Sequence, residues 1–142
     1  MKKVYLYTDG GARGNPGPSG AGAVVFDEQG AVLGEAKKYL GHTTNNVAEY
    51  EAVRIGLVLI QETFGNDACK EIEVVSRMDS ELVCKQLNGV YRVKNEKLKP
   101  MFTAVKALCA EVFPHVTFEH VRREKNKHAD MLANEAMDQG RA

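Results

Sequence analysis

Four acidic residues, Asp9, Glu49, Asp79 and Asp130, stand where a carboxylate is either structural or chemical. Glu49 is the most conspicuous. Helical spacing over residues 46–64 sets Ala52, Val53, Gly56, Leu59 and Ile60 opposite Glu51, Arg54, Gln61 and Glu62, and Glu49 falls near the middle of the apolar side. A lone charge is costly to bury, so either its carboxylate reaches water at the end of the stripe or a cation meets it. Asp9 closes the strand-like run Lys3–Thr8 ahead of Gly10-Gly11. A strand end there can face a ligand crevice, and Asp can equally form a turn. Asp79 lies between a strand and a helix and could cap orphan backbone N–H groups. Asp130 lies in the first turn of the last helix, where the helix dipole favours a negative charge. Each alone has an ordinary explanation; together they are hard oxygen donors of the kind that suits magnesium or manganese.

The elements that must position these groups follow from periodicity. Residues 3–9 are β-branched and aromatic, residues 10–22 read as a Gly/Pro turn region, and Ala23–Phe26 read as a second strand. Asp27-Glu28-Gln29-Gly30 is a turn signal, and Ala31–Leu40 complete an antiparallel meander. A helix over 46–64 stops at Gly65-Asn66. Glu71–Met78 read as a fourth strand, Ser80–Leu87 as a helix, Lys97–Val112 as a longer one, Val116–His120 as a fifth strand and Lys127–Asp138 as a closing helix. Helical crossovers imply parallel pairing. The expected architecture is α/β: a five-stranded mixed sheet with helices on both faces, its strand order left open by periodicity.

A chain of 142 residues suits one domain, residues 1–142, large enough for a real core. Lys plus Arg and Asp plus Glu both total 19, so any binding of a polyanion must rest on a local surface. No apolar run reaches the roughly 20 residues of a membrane-spanning helix. Thr8 and Asp9 interrupt the N-terminal apolar stretch before a signal core forms, which gives the expectation of a cytoplasmic protein. Cys69, Cys84 and Cys109 lack metal-site spacing and read as reduced structural thiols.

The run Thr8-Asp9-Gly10-Gly11-Ala12-Arg13-Gly14-Asn15-Pro16-Gly17-Pro18-Ser19-Gly20-Ala21-Gly22, with Thr43-Thr44-Asn45-Asn46-Val47-Ala48-Glu49-Tyr50, resembles type 1 ribonuclease H. The likeness continues through Asp79-Ser80-Glu81-Leu82-Val83, Gln86-Leu87-Asn88-Gly89 and Val93-Lys94-Asn95, and ends in Asn126-Lys127-His128-Ala129-Asp130-Met131-Leu132-Ala133, so it spans nearly the whole chain. The resemblance implies the ribonuclease H fold and endonucleolytic cleavage of the RNA strand of an RNA–DNA hybrid, leaving 3′-hydroxyl and 5′-phosphate ends. It implies that Asp9, Glu49, Asp79 and Asp130 hold two Mg2+ ions, with Mn2+ as a substitute, roughly 4 Å apart for a two-metal displacement. On this reading Asp9 bridges both ions and Glu49 lies near the 2′-hydroxyl that marks RNA.

The same resemblance assigns Gly14 and Asn15 to a turn that approaches the hybrid's minor groove, Asn45 to base or ribose on the RNA strand, and Thr44 and Asn95 to a DNA-strand phosphate. Arg13, Lys94 and Lys97 could add charge beside them. The Gly-rich run is no phosphate-binding P-loop, since no Gly-Lys-Ser/Thr closes it. Residues 88–97 are too short for the basic helical protrusion of some relatives. The stretch His120-Val121-Arg122-Arg123-Glu124-Lys125 looks like a shorter-loop branch that lacks the relatives' auxiliary histidine, with Arg123 or Glu124 in its place. His128 lies two residues from Asp130, on roughly the opposite side of a helix, and reads as surface. Met78 stands where the family often has a small polar residue, which puts local backbone shape in question. The whole is read as a minimal, monomeric catalytic domain. The competing readings are a non-cleaving binder of hybrid or duplex RNA, and a metal nuclease of DNA junctions or strand ends.

Overall fold

The structure, a computed structural model, describes residues 1–140. Strands β1 (Lys2–Ala12), β2 (Gly17–Phe26) and β3 (Val32–Thr43) form the meander. Helix α1 (Asn45–Phe64) and the single turn α2 (Asn66–Cys69) lead to β4 (Ile72–Met78), α3 (Glu81–Leu87), α4 (Lys99–Val112) and β5 (Val116–His120). A 3₁₀ turn at Arg123–Lys125 precedes α5 (Lys127–Gln139). The sheet order is β3-β2-β1-β4-β5, with β1 antiparallel to β2, β2 antiparallel to β3, and β1-β4 and β4-β5 parallel.

The largest departure from the expected elements is the Gly-rich run, which is strand rather than turn over most of its length. β1 continues through Gly10 and Gly11 to Ala12, and β2 already begins at Gly17. Only residues 13–16 make the connection, closed by the Arg13 N–H donating to the Pro18 carbonyl at 2.9 Å. The glycines are there because helices press on the strands. A Cβ at Gly20 would lie 2.6 Å from the Ala133 carbonyl oxygen, and one at Gly22 would lie 2.5 Å from that of Ala129. Composition alone cannot distinguish a glycine that turns the chain from one that admits a neighbour.

The two faces of the sheet carry different helices. Gly10 abuts Ala48 of α1 and its neighbour Gly11 abuts Met137 of α5. Successive strand residues point to opposite faces, so α1 and α5 sandwich the sheet. On the α1 side, Leu6, Val25, Val74, Tyr50, Val53 and Leu57 pack with Val105, Cys109 and Phe113 of the α4 segment into one core. Burying each of the larger side chains contributes about 1.5–3 kcal/mol. Glu51, set on the polar side of the helix by spacing, is in fact buried. Its carboxylate is held by Arg54, with Nε at 2.9 Å, and by Lys38 at 3.5 Å, which is why a charge is tolerated there.

Smaller boundary shifts have local causes. α4 starts at Lys99 rather than Lys97 because Asn95 forms a turn, its Oδ1 accepting from the Lys97 N–H at 2.8 Å. Pro100 then occupies the first helical turn, where a missing N–H costs nothing. Met78 is fully buried at the end of a regular strand. No helix among the described residues is long and apolar enough to cross a membrane.

Candidate active site

Parallel pairing of β1 with β4 ends at Thr8 opposite Met78, which makes Asp9 and Asp79 the next residues along two adjacent strands. Neighbouring strands lie about 4.8 Å apart, so the two carboxylates emerge side by side. Asp9 does not end its strand, as its position before Gly10-Gly11 suggests; it pairs with Gly22 on β2. Asp79 is also free of the capping role, because Ser80 caps α3, its Oγ accepting from the Val83 N–H at 3.2 Å.

Glu49 enters from α1, whose start is fixed by Thr44, with Oγ1 accepting from the Val47 N–H at 3.3 Å. Contact of the helix backbone with Gly10 lets the Glu49 side chain reach Asp9. Carboxylate oxygens of Asp9, Glu49 and Asp79 all lie within 4.8 Å of one another. Asp9 and Glu49 are each 7% exposed, Asp79 is half-buried and Asp130 is exposed. Asp130 lies outside the tight triad but lines the same cleft and interacts with Asp9.

Electrostatics make this cluster unstable as a set of bare anions. Burial, then the Asp79 charge, pushes the Asp9 carboxyl up to about 8. Glu49 is raised well above the usual carboxylate range, first by burial and then by Asp9 and Asp79. Its Oε2 is buried with no hydrogen-bond partner. A divalent cation meets all three conditions: it neutralises the repulsion, coordinates the orphan oxygen and accepts hard ligands.

The cleft, about 360 Å³, is lined by the four carboxylates together with Gly10, Arg13, Asn45, Arg123 and Asn134, among others. Of the residues assigned to substrate, Asn45 lines it directly, and its N–H donates to Asn15 Oδ1 at 3.1 Å, tying the β1–β2 connection to the start of α1. Gly14 adopts a left-handed φ of 85° in that connection. Thr44 caps the adjoining helix, whereas Asn95 lies in the α3–α4 segment outside the lining. Residues 88–98 contain no helix.

Arg123 and Glu124 separate clearly. Arg123 lines the cleft, whereas Glu124 does not and lies 4.0 Å from Arg122. Arg13 is held at the rim by Asp138 at 2.6 Å. His128 is not plain surface: it is half-buried, bonded to Glu35 and edge-on to Phe26 with ring centroids 5.8 Å apart, outside the cleft lining. Cys69, Cys84 and Cys109 are all buried free thiols, and burial pushes the Cys109 thiol up to about 11.

One residue that the spacing did not single out is Asn126. It is 1% exposed, and its Nδ2 donates to the Thr8 carbonyl at 2.8 Å and to Asp79 Oδ2 at 3.3 Å. The only signal in the sequence is a cap-type residue just before α5.

Residues 7–136 match the family model described as "Reverse transcriptase-like". The "Bifunctional protein Rv2228c" of Mycobacterium tuberculosis is 42% identical over 96% of this chain, and the chain spans 36% of that relative's length. The "Ribonuclease H" of Hydrogenovibrio crunogenus is 36% identical, with 98% of each chain covered. The crystal structure of LC11-RNase H1 in complex with RNA/DNA hybrid superposes with a TM-score of 0.94 at 48% identity, covering 98% of this chain and 99% of that one. Similarity of this extent, on a fold whose acidic residues converge in one cleft, places the chain in the type 1 ribonuclease H family.

Proposed function

We propose that this chain hydrolyses the RNA strand of RNA–DNA hybrids with divalent metal, leaving 3′-hydroxyl and 5′-phosphate ends. The observation that carries the reading is the triad Asp9, Glu49 and Asp79 with its orphaned, buried Glu49 oxygen. Similarity to an RNA/DNA-bound relative supports the substrate class. Asp9, Glu49, Asp79 and Asp130 would hold the metal, with Mg2+ the expected ion and Mn2+ a substitute. Bound there, two ions would supply a hydroxide nucleophile and stabilise the departing 3′ oxygen.

The chain's own residues orient the substrate. Asn45 and the Gly14-Asn15 connection present small and amide groups suited to a minor groove displaying 2′-hydroxyls. Thr44 and Asn95 each use an oxygen to accept from a backbone N–H, and each keeps a donor for a DNA-strand phosphate. Arg123 contributes a cation at the cleft for the RNA backbone. All four carboxylates come from one chain, so the reading needs no second copy.

The test is a gel assay with end-labelled RNA–DNA hybrid, duplex RNA and duplex DNA, with and without Mg2+. RNA fragments from the hybrid alone, dependent on metal and extendable at their 3′ ends, support the reading. Binding of the hybrid without fragments under Mg2+ or Mn2+ would replace it with a non-cleaving binder.

A further inference from the structure

We infer that Asn126 is a positioning residue that sets the carboxylates in register, and that its amide tunes the affinity of the cluster for metal. The inference rests on the metal-site reading above. The Asn126 side chain joins two separate elements at the cleft, and its backbone holds a third. Its Nδ2 donates to the carbonyl of Thr8, the residue before Asp9, and to Oδ2 of Asp79. Its backbone carbonyl accepts from the Asp130 N–H at 3.1 Å. β1 at Thr8, the residue that follows β4 and the first turn of α5 are thereby tied at a single point.

The geometry divides the work of the Asp79 carboxylate. Oδ2 accepts from Asn126 at 3.3 Å, which fixes the plane of the group and leaves the other oxygen for a cation. Asn126 is itself locked: it is 1% exposed, and the 2.8 Å bond to Thr8 leaves the amide little freedom. Its Oδ1 is buried without a partner, so the amide is held by its donors. A buried polar atom left unsatisfied is destabilising. An apolar side chain here would remove that orphan but would leave the Thr8 carbonyl and Asp79 Oδ2 without this donor. Partners that orient metal ligands typically change metal affinity or activity by about 10–100-fold when removed.

The experiment is calorimetric titration of Mn2+ into wild type, Asn126→Ala, Asn126→Ser and Val105→Ala, each shown folded by circular dichroism at the titration temperature. Serine preserves a cap-type residue at the start of α5 should alanine fail to fold. Val105 is fully buried in α4, so its truncation lowers stability without touching the cleft. The expected result is a Kd for Mn2+ raised by about tenfold or more in the Asn126 variants and unchanged in Val105→Ala. Wild-type binding with Asn126 variants within about twofold of it overturns the positioning role alone. Equal weakening in Val105→Ala overturns it too, since the effect would then follow stability. An absence of binding by wild type overturns the metal-site reading and this inference together.

Discussion

A side-chain carbon on Gly10 would stand 2.2 Å from the carbonyl carbon of Ala48, and this near-contact of strand and helix backbones is what delivers Glu49 to Asp9. The three nearest atoms that such a carbon would meet all belong to the helix backbone, at Ala48 or Glu49. No rotamer change can relieve the overlap, so α1 itself must move.

Gly10→Ala is therefore expected to lower unfolding free energy by about 3 kcal/mol or more and to abolish cleavage by separating Glu49 from Asp9. Gly65→Ala is the comparison. Nothing lies within 4 Å of a Cβ there, and only the φ of 86° opposes it. It should cost about 1–2 kcal/mol and leave activity intact. Urea denaturation with a hybrid-cleavage assay checks both.

The raised Asp9 carboxyl gives the metal-free protein a defined pH dependence. Its ordinary value of 3.8 moves to about 8 in the fold, so the folded state binds the extra proton between those values. The contribution of this group to stability is complete below 3.8 and is lost as pH rises through about 8. Asp9→Asn removes the ionisation and should be more stable than wild type at pH 8 in chelator, by about 1–3 kcal/mol, since a pKa unit corresponds to about 1.4 kcal/mol and solvent relaxes part of the repulsion. At pH 4 the two should melt alike. Thermal melts in chelator at both pH values make the comparison.

Metal must compete with that proton. Saturating Mg2+ should raise the melting temperature of wild type by several degrees at pH 8 and by little at pH 5, because protonated carboxylates are poor ligands. Asp9→Asn should show a much smaller shift at either pH. A metal shift independent of pH would contradict the assignment of Asp9 as a ligand.

Arg123 and Glu124 differ in placement and should differ in effect. Arg123→Ala removes a cation from the cleft and should raise KM for hybrid by about 3–10-fold at low salt and make KM rise less steeply with salt than in wild type, as expected when a phosphate contact is lost. Glu124→Ala, outside the cleft lining, should leave both KM and kcat near wild type. Steady-state kinetics at two ionic strengths distinguishes them.

The sheet, its helices and the four carboxylates were legible in the sequence for different reasons. Alternating and helical periodicity report burial, so all five strands and the long helices could be read from it, with ends shifted at local turns such as that of Asn95 and, further, through the glycine run. Glu49 was conspicuous because charge is rare on an apolar helical side. Asp9, Asp79 and Asp130 were ambiguous, because turn, cap and dipole roles are equally common for Asp; Ser80 taking the cap and β1 continuing past Asp9 remove two of those ordinary roles. The glycine run was misread because close helix packing is a tertiary property. Glu51 and Asn126 escaped notice for the same reason: what satisfies a buried polar group is its partner across the fold, and spacing along the chain carries no trace of it.

The most direct test of the central claim is Mg2+-dependent cleavage of a labelled RNA–DNA hybrid by wild type and by Asp9→Asn, with circular dichroism confirming the same fold. Wild type is expected to give RNA-strand fragments and the variant to lose them by about a thousandfold or more, the scale expected when a metal-binding group central to charge stabilisation is removed. Undiminished cleavage by Asp9→Asn would contradict that claim.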